Sequence, residues 1–127
     1  MTRSGRRVHE KPYVVAIPVP SLNRAGKQLN RDDIDRWVKL AETELTACFG
    51  GATLLRAPGT NIVDGKVLYE AGQFLVMSGC DSRDEFIAKR KKLTVFVEQM
   101  GDALDQAAVF VLAFDSDSFL IELEEDT

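Results

Sequence analysis

Two helix-period stripes, each set between short apolar extended runs, and an Asp-Gly turn joining two of those runs predict an α+β domain. The element order reads β-α-β-β-α-β with an extra C-terminal strand. That is the plan of a ferredoxin-like two-layer sandwich, an antiparallel sheet with both helices on one face. Size and composition agree with it. The 127 residues are 45% hydrophobic and 28% charged, with a formal net charge of −4. A globular domain of this length buries roughly two-thirds of its unfolded surface and needs no metal or disulfide staple.

The elements are justified in chain order. Residues 1–11 hold Arg3, Arg6, Arg7 and Lys11 against Glu10 and read as a flexible basic arm ahead of a single α+β domain at 12–127. Pro12 to Val19 is β-branched and apolar, which suits a strand buried on both faces, with Pro18 ending its ladder near Ile17. A polar loop covers Ser21 to Asn30. Asn30 caps the first helix, and Asp32, Asp33 and Asp35 place negative charge near its N-terminus. Its stripe is Ile34, Trp37, Val38, Ala41, Leu45 and Cys48, and Gly50-Gly51 stop it through a left-handed cap.

Two extended runs follow, 52–63 and 66–78, joined by Asp64-Gly65, so they are expected as antiparallel neighbours. Gly72 inside the second run marks a bulge or a close backbone approach. Ser82-Arg83-Asp84-Glu85 is a capping box that opens the second helix, whose stripe is Phe86, Leu93, Val97, Met100 and Leu104. The chain ends with Ala107 to Phe114, the polar turn Asp115-Ser116-Asp117-Ser118, and Phe119 to Leu123, read as a second hairpin.

A two-layer sandwich leaves one sheet face uncovered, while these strands look apolar on both sides. An exposed apolar patch beyond a few hundred Å² is rare on a monomer. The expectation is therefore a homodimer packed sheet to sheet or edge to edge, with Phe119, Leu120 and Ile121 folding back over the chain's own sheet as the alternative. The apolar run after the arm is too short and too interrupted for a signal peptide, and no run reaches the length of a membrane span. Two cysteines, Cys48 and Cys80, without a Cys-x-x-Cys pattern suit a reducing compartment, so the expected location is the cytoplasm. No cofactor or metal is expected.

Most chemical motifs fail on inspection. His9 is the sole histidine and lies in the arm, which argues against Cys/His or Ser/His nucleophilic catalysis. The glycines of Phe49-Gly50-Gly51-Ala52-Thr53 follow a helix instead of preceding one, so they do not form a phosphate loop. Lys66 to Met77 lacks the basic-glycine-aromatic signature of RNA-recognition strands, and the acidic balance also argues against nucleic acid. Glu70 stands out, because a carboxylate mid-strand among apolar residues can serve as general acid or base. Tyr69, Arg56 and Gln106 are its candidate positioning groups. Arg56 is alternatively its cross-strand ion-pair partner, and Asn61 is a further polar group for the same pocket.

With Phe49-Gly50-Gly51-Ala52-Thr53, then Gly59, Asp64-Gly65, Glu70 and Gln106-x-Ala108-Val109, the chain resembles a family of short uncharacterised bacterial proteins over roughly residues 13–112. That family often carries an aromatic residue near Gly59, where this chain has Thr60-Asn61. The resemblance implies a compact α+β domain and no particular activity. The leading expectation is a non-catalytic interaction or regulatory domain that binds a protein partner through its sheet and charged ends. The alternative is a small-molecule enzyme of the dimeric ferredoxin-like type using Glu70.

Overall fold

The computed structural model describes residues 5–63 and 65–124. The elements are β1 (Gly5–Val19), α1 (Arg31–Phe49), β2 (Thr53–Arg56), β3 (Gly59–Val63), β4 (Lys66–Glu70), β5 (Phe74–Cys80), α2 (Arg83–Ala103) and β6 (Leu112–Glu124). Four strands form an antiparallel sheet in the order β2-β5-β1-β6, and β3-β4 make a separate two-stranded ribbon. The two helices pack on one face of the sheet, so the fold is the ferredoxin-like α+β sandwich.

Local chemistry sets the helix limits. The Asn30 side chain accepts the Asp32 N–H at 2.8 Å, and Gly50, at φ 91°, closes α1 with its N–H on Thr46 O. Ser82 Oγ accepts the Glu85 N–H at 3.1 Å, the forward half of the capping box, while Glu85 Oε1 reaches back one residue further and accepts the Asp81 N–H at 3.0 Å. Between helices and sheet lie Val15, Ile17 and Val19 of β1, Val76 and Cys80 of β5, Ile34, Ala41 and Leu45 of α1, and Phe86 and Met100 of α2. Tyr13 meets Phe86 with ring centroids 5.4 Å apart, and Trp37 meets Phe96 across the helix pair at 5.8 Å.

The long hairpin expected at 52–78 is present but broken into two storeys. Its base, β2-β5, pairs Thr53 to Arg56 with Met77 to Phe74 inside the sheet, and its tip, β3-β4, pairs Gly59 to Val63 with Glu70 to Lys66. Ala57 and Gln73 join the storeys through the Ala57 N–H on Gln73 O at 2.8 Å. Gly65, at φ 76°, takes the left-handed geometry the turn requires, while Asp64 lies outside the described residues. Gly72 marks a close approach: a Cβ there would meet Ser21 Cβ at 3.2 Å.

Three expectations are corrected at the chain's ends. Residues 5–11 are not a free arm but the first half of β1, paired with Ser118 to Glu124 of β6. Their basic side chains stand against the acidic end of the chain: Arg7 is opposite Glu122, and His9 Nε2 lies 3.0 Å from Glu122 Oε2. The C-terminal hairpin with its extra strand is instead one strand, β6, because Asp115 to Ser118 form a bulge. There Ser116 and Asp117 face the single residue Pro12, which has no N–H to donate to a regular ladder. The third correction is that residues 107–111 join no strand, and β6 begins only at Leu112. At Pro18, pairing with β6 stops at Ala16 while pairing with β5 runs on to Val19, so the expected ladder break falls on one side of β1 only.

Candidate active site

Of the sequence-derived candidates, the fold brings two together and separates two. Glu70, at the last position of β4, is only 9% exposed, and its Oε1 accepts the Leu22 N–H at 3.1 Å. Gln106 reaches the same residue from the other side, its Nε2 donating to Leu22 O at 2.8 Å and to Leu104 O at 2.9 Å. A carboxylate and a carboxamide 36 positions apart in sequence therefore grip one residue of the β1–α1 loop.

Tyr69 and Arg56 do not join them. Tyr69 precedes Glu70 on the strand, so its side chain points to the opposite face, and it is two-thirds exposed. Arg56 stands opposite Phe74 on β5, whereas Glu70 stands opposite Gly59, so the cross-strand ion pair is not formed. The reason is the two-storey break, which puts Arg56 in the sheet and Glu70 in the outer ribbon. The backbone of Asn61 pairs with Leu68.

Residues that the sequence did not single out complete the cluster. Arg24 donates from Nη2 to Gln106 O at 2.9 Å, pairs through Nε with Asp105 Oδ1 at 2.9 Å, and gives its backbone N–H to Asp105 O at 2.8 Å. Asp105 has φ 50°, the one positive value at a non-glycine among the described residues. An aspartate directly after a helix was the available signal, since Asn and Asp tolerate the left-handed region best.

Two concavities flank this region. A groove of about 830 Å³ runs between α2 and residues 106–113, walled by Phe86, Arg90, Leu93, Val97, Gln106 and Val109. A second cleft of about 670 Å³ opens where the β6 bulge bends the outer ribbon of β1 and β6, so that Phe119 and Leu120 face Val14, Leu55 and Met77 across it. Gln106 thus lines the larger groove, with Glu70 behind it across Leu22; Glu70 itself lines neither concavity.

The titrating groups elsewhere do not supply a nucleophile. Burial raises the Cys80 thiol to about 11 and pushes the Cys48 thiol up as well, so both stay protonated at neutral pH. His9 pairs with Glu122 and with neither thiol. A hydrogen bond from Lys11 holds the Asp81 carboxyl below its ordinary value. Among the described residues no group of three or more His, Cys, Asp or Glu side chains is placed to hold a metal ion. No helix is long and apolar enough to cross a membrane.

A ferredoxin-like sandwich with a buried carboxylate in an inserted ribbon is the class that fold and site define. In fold the chain is similar to a phage SAM lyase in complex with S-methyl-5′-thioadenosine. The TM-score is 0.61 at 13% identity, covering 94% of this chain and 94% of that one. It is also similar to a phage SAM lyase in the apo state, with TM-score 0.59, 16% identity and coverage of 99% and 95%. At such identities the likeness shows the fold. No protein-family model matches the chain, and neither does any curated protein. The expectation of a non-catalytic interaction domain is contradicted by these neighbours, both of them enzymes matched over nearly the whole chain.

Proposed function

We propose that this protein is a small-molecule enzyme that cleaves a sulfonium substrate of the S-adenosylmethionine class, with Glu70 as its acting carboxylate. The observation that carries the reading is Glu70 itself. It is a 9%-exposed carboxylate tied down by one backbone N–H at Leu22, and among the described residues it has no cationic partner. A largely buried carboxylate without a fixed counter-charge suits a cationic ligand. The net charge of −4 favours approach of such a ligand over longer distances.

Release of S-methyl-5′-thioadenosine from this substrate breaks the bond between sulfur and the amino-acid chain. The bonding pair leaves on sulfur, which becomes a neutral thioether. The carbon left behind is satisfied either by the substrate's own carboxylate, giving a lactone, or by loss of a neighbouring proton, giving an unsaturated amino acid. Neither route consumes water. Because the sulfonium charge fades in the transition state, an anion held against sulfur would favour the ground state. Glu70 is therefore assigned to the amino-acid end, as the base of the second route or the partner of the ammonium in the first.

The test is incubation of the purified protein with S-adenosylmethionine, with chromatography of the products. Formation of S-methyl-5′-thioadenosine is expected, and Glu70→Gln should lower its rate by about 10²-fold or more. A lactone product selects the ammonium role and an unsaturated one the base role. Inert wild-type protein, or a fully active Glu70→Gln variant, would overturn the reading.

For assembly we propose a homodimer in the cytoplasm. Two free cysteines suit a reducing compartment. Phe114, Phe119, Leu120, Ile121 and Val8 are each more than two-fifths exposed, so the tail does not cover the apolar surface by itself. Light scattering that gives a monomer mass at micromolar concentration would exclude the dimer.

A further inference from the structure

We infer that Gln106 is a positioning residue for Glu70 and acts through the backbone of Leu22. The inference rests on the reading of Glu70 as the acting carboxylate and adds how that carboxylate is aimed. Glu70 has one hydrogen-bond donor among the described residues, the Leu22 N–H, so the orientation of the carboxylate follows wherever Leu22 is held. Leu22 in turn is held from its carbonyl by Gln106 Nε2, which also donates to Leu104 O and so leaves the amide no freedom to rotate.

Gln106 is itself anchored at both ends of its peptide. Its N–H donates to Gly101 O at 2.9 Å, and its carbonyl accepts from Arg24 Nη2. The turn that presents it contains Asp105 in the left-handed region. That conformation is uncommon for a non-glycine residue and persists where surrounding contacts enforce it. Arg24 supplies those contacts through its bonds to Asp105 side chain and backbone. On the other flank, Ser21 is 2% exposed and packs closely on Gly72, where an added Cβ would lie 3.2 Å from the Ser21 Cβ. The arrangement is a relay of fixed parts: a strained turn, a carboxamide, one peptide, a carboxylate.

The test combines kinetics with amide exchange on four proteins: wild type, Gln106→Leu, Glu70→Gln and the double variant. Gln106→Glu, which keeps the shape and removes the donors, serves as a second probe if the leucine variant does not fold. Loss of the donor should lower kcat for S-adenosylmethionine cleavage by about 10-fold or more with KM changed by less than about threefold. In the Glu70→Gln background the same change should remove less than about twofold, because the route to the chemistry is already cut. The Leu22 amide should exchange at least about tenfold faster in Gln106→Leu while β5 amides keep their protection. Equal losses in both backgrounds, or Leu22 exchange unchanged by Gln106→Leu, would overturn the relay. Wild-type protein inert toward the sulfonium overturns instead the catalytic reading of Glu70, and the exchange arm then decides the Gln106–Leu22 coupling alone.

Discussion

The two halves of β1 are one strand in two settings. From Tyr13 to Val19 it pairs with β5, and as far as Ala16 with β6 as well, with helices behind it, and Val15, Ile17 and Val19 are fully buried. From Gly5 to Lys11 it has β6 alone for a neighbour, and Val8, of the same residue type as Val15, is 57% exposed. Ladder pairing makes both halves extended, but only the presence of the helices makes one half a core. The outer half is held by opposite charge across the ladder, a weaker and salt-sensitive bond.

The largest expected difference between the halves is in truncation. Ile17→Ala should destabilise by about 2–5 kcal/mol, whereas Val8→Ala should stay within about 0.5 kcal/mol, both read from denaturant melts of dilute protein. A large loss at Val8 would show that the ribbon is covered. Amide exchange sharpens the contrast residue by residue: amides of Val15 and Ile17 should open near the global unfolding energy and those of Val8 and His9 well below it. Next comes charge: Glu122→Lys should cost less than about 1 kcal/mol, and the loss should shrink in high salt, since Glu122 and His9 are both about half exposed.

The smallest effect sits where the halves meet, at Lys11 and Asp81. The Asp81 carboxyl titrates below its ordinary 3.8 in the folded protein, so its contribution is present above that pH and is lost as pH falls through the depressed folded value. Lys11→Met should remove this acid-side dependence, and an NMR titration of Asp81 checks it.

How far the sequence could be read follows the same division. The helices were legible to the residue that caps them, because Asn30, Gly50 and Ser82 act locally. The sheet order followed from the alternation of helices and strands. The ends were not legible, because what orders Arg7 and His9 is Glu122, more than a hundred positions away, and no periodicity reports that distance. The site shows the same pattern. Glu70 and Gln106 were visible as polar residues in apolar settings, but Leu22, which joins them, offers only backbone groups, and a backbone contact leaves no trace in composition. Arg56 was misplaced because one kink, around Ala57 to Gly59, moved its expected partner out of the sheet.

Gly5 and Glu124 are ladder partners, so the two described extremities of the polypeptide lie a single strand spacing apart. A short linker between them would turn the charged ribbon into a continuous hairpin, and fresh termini could be opened at Gly65, leaving sandwich and relay untouched. Such a rewired chain would carry its cationic and anionic tracts as neighbours in sequence as well as in space. The attraction that now closes the largest loop in the molecule would then act over a few residues.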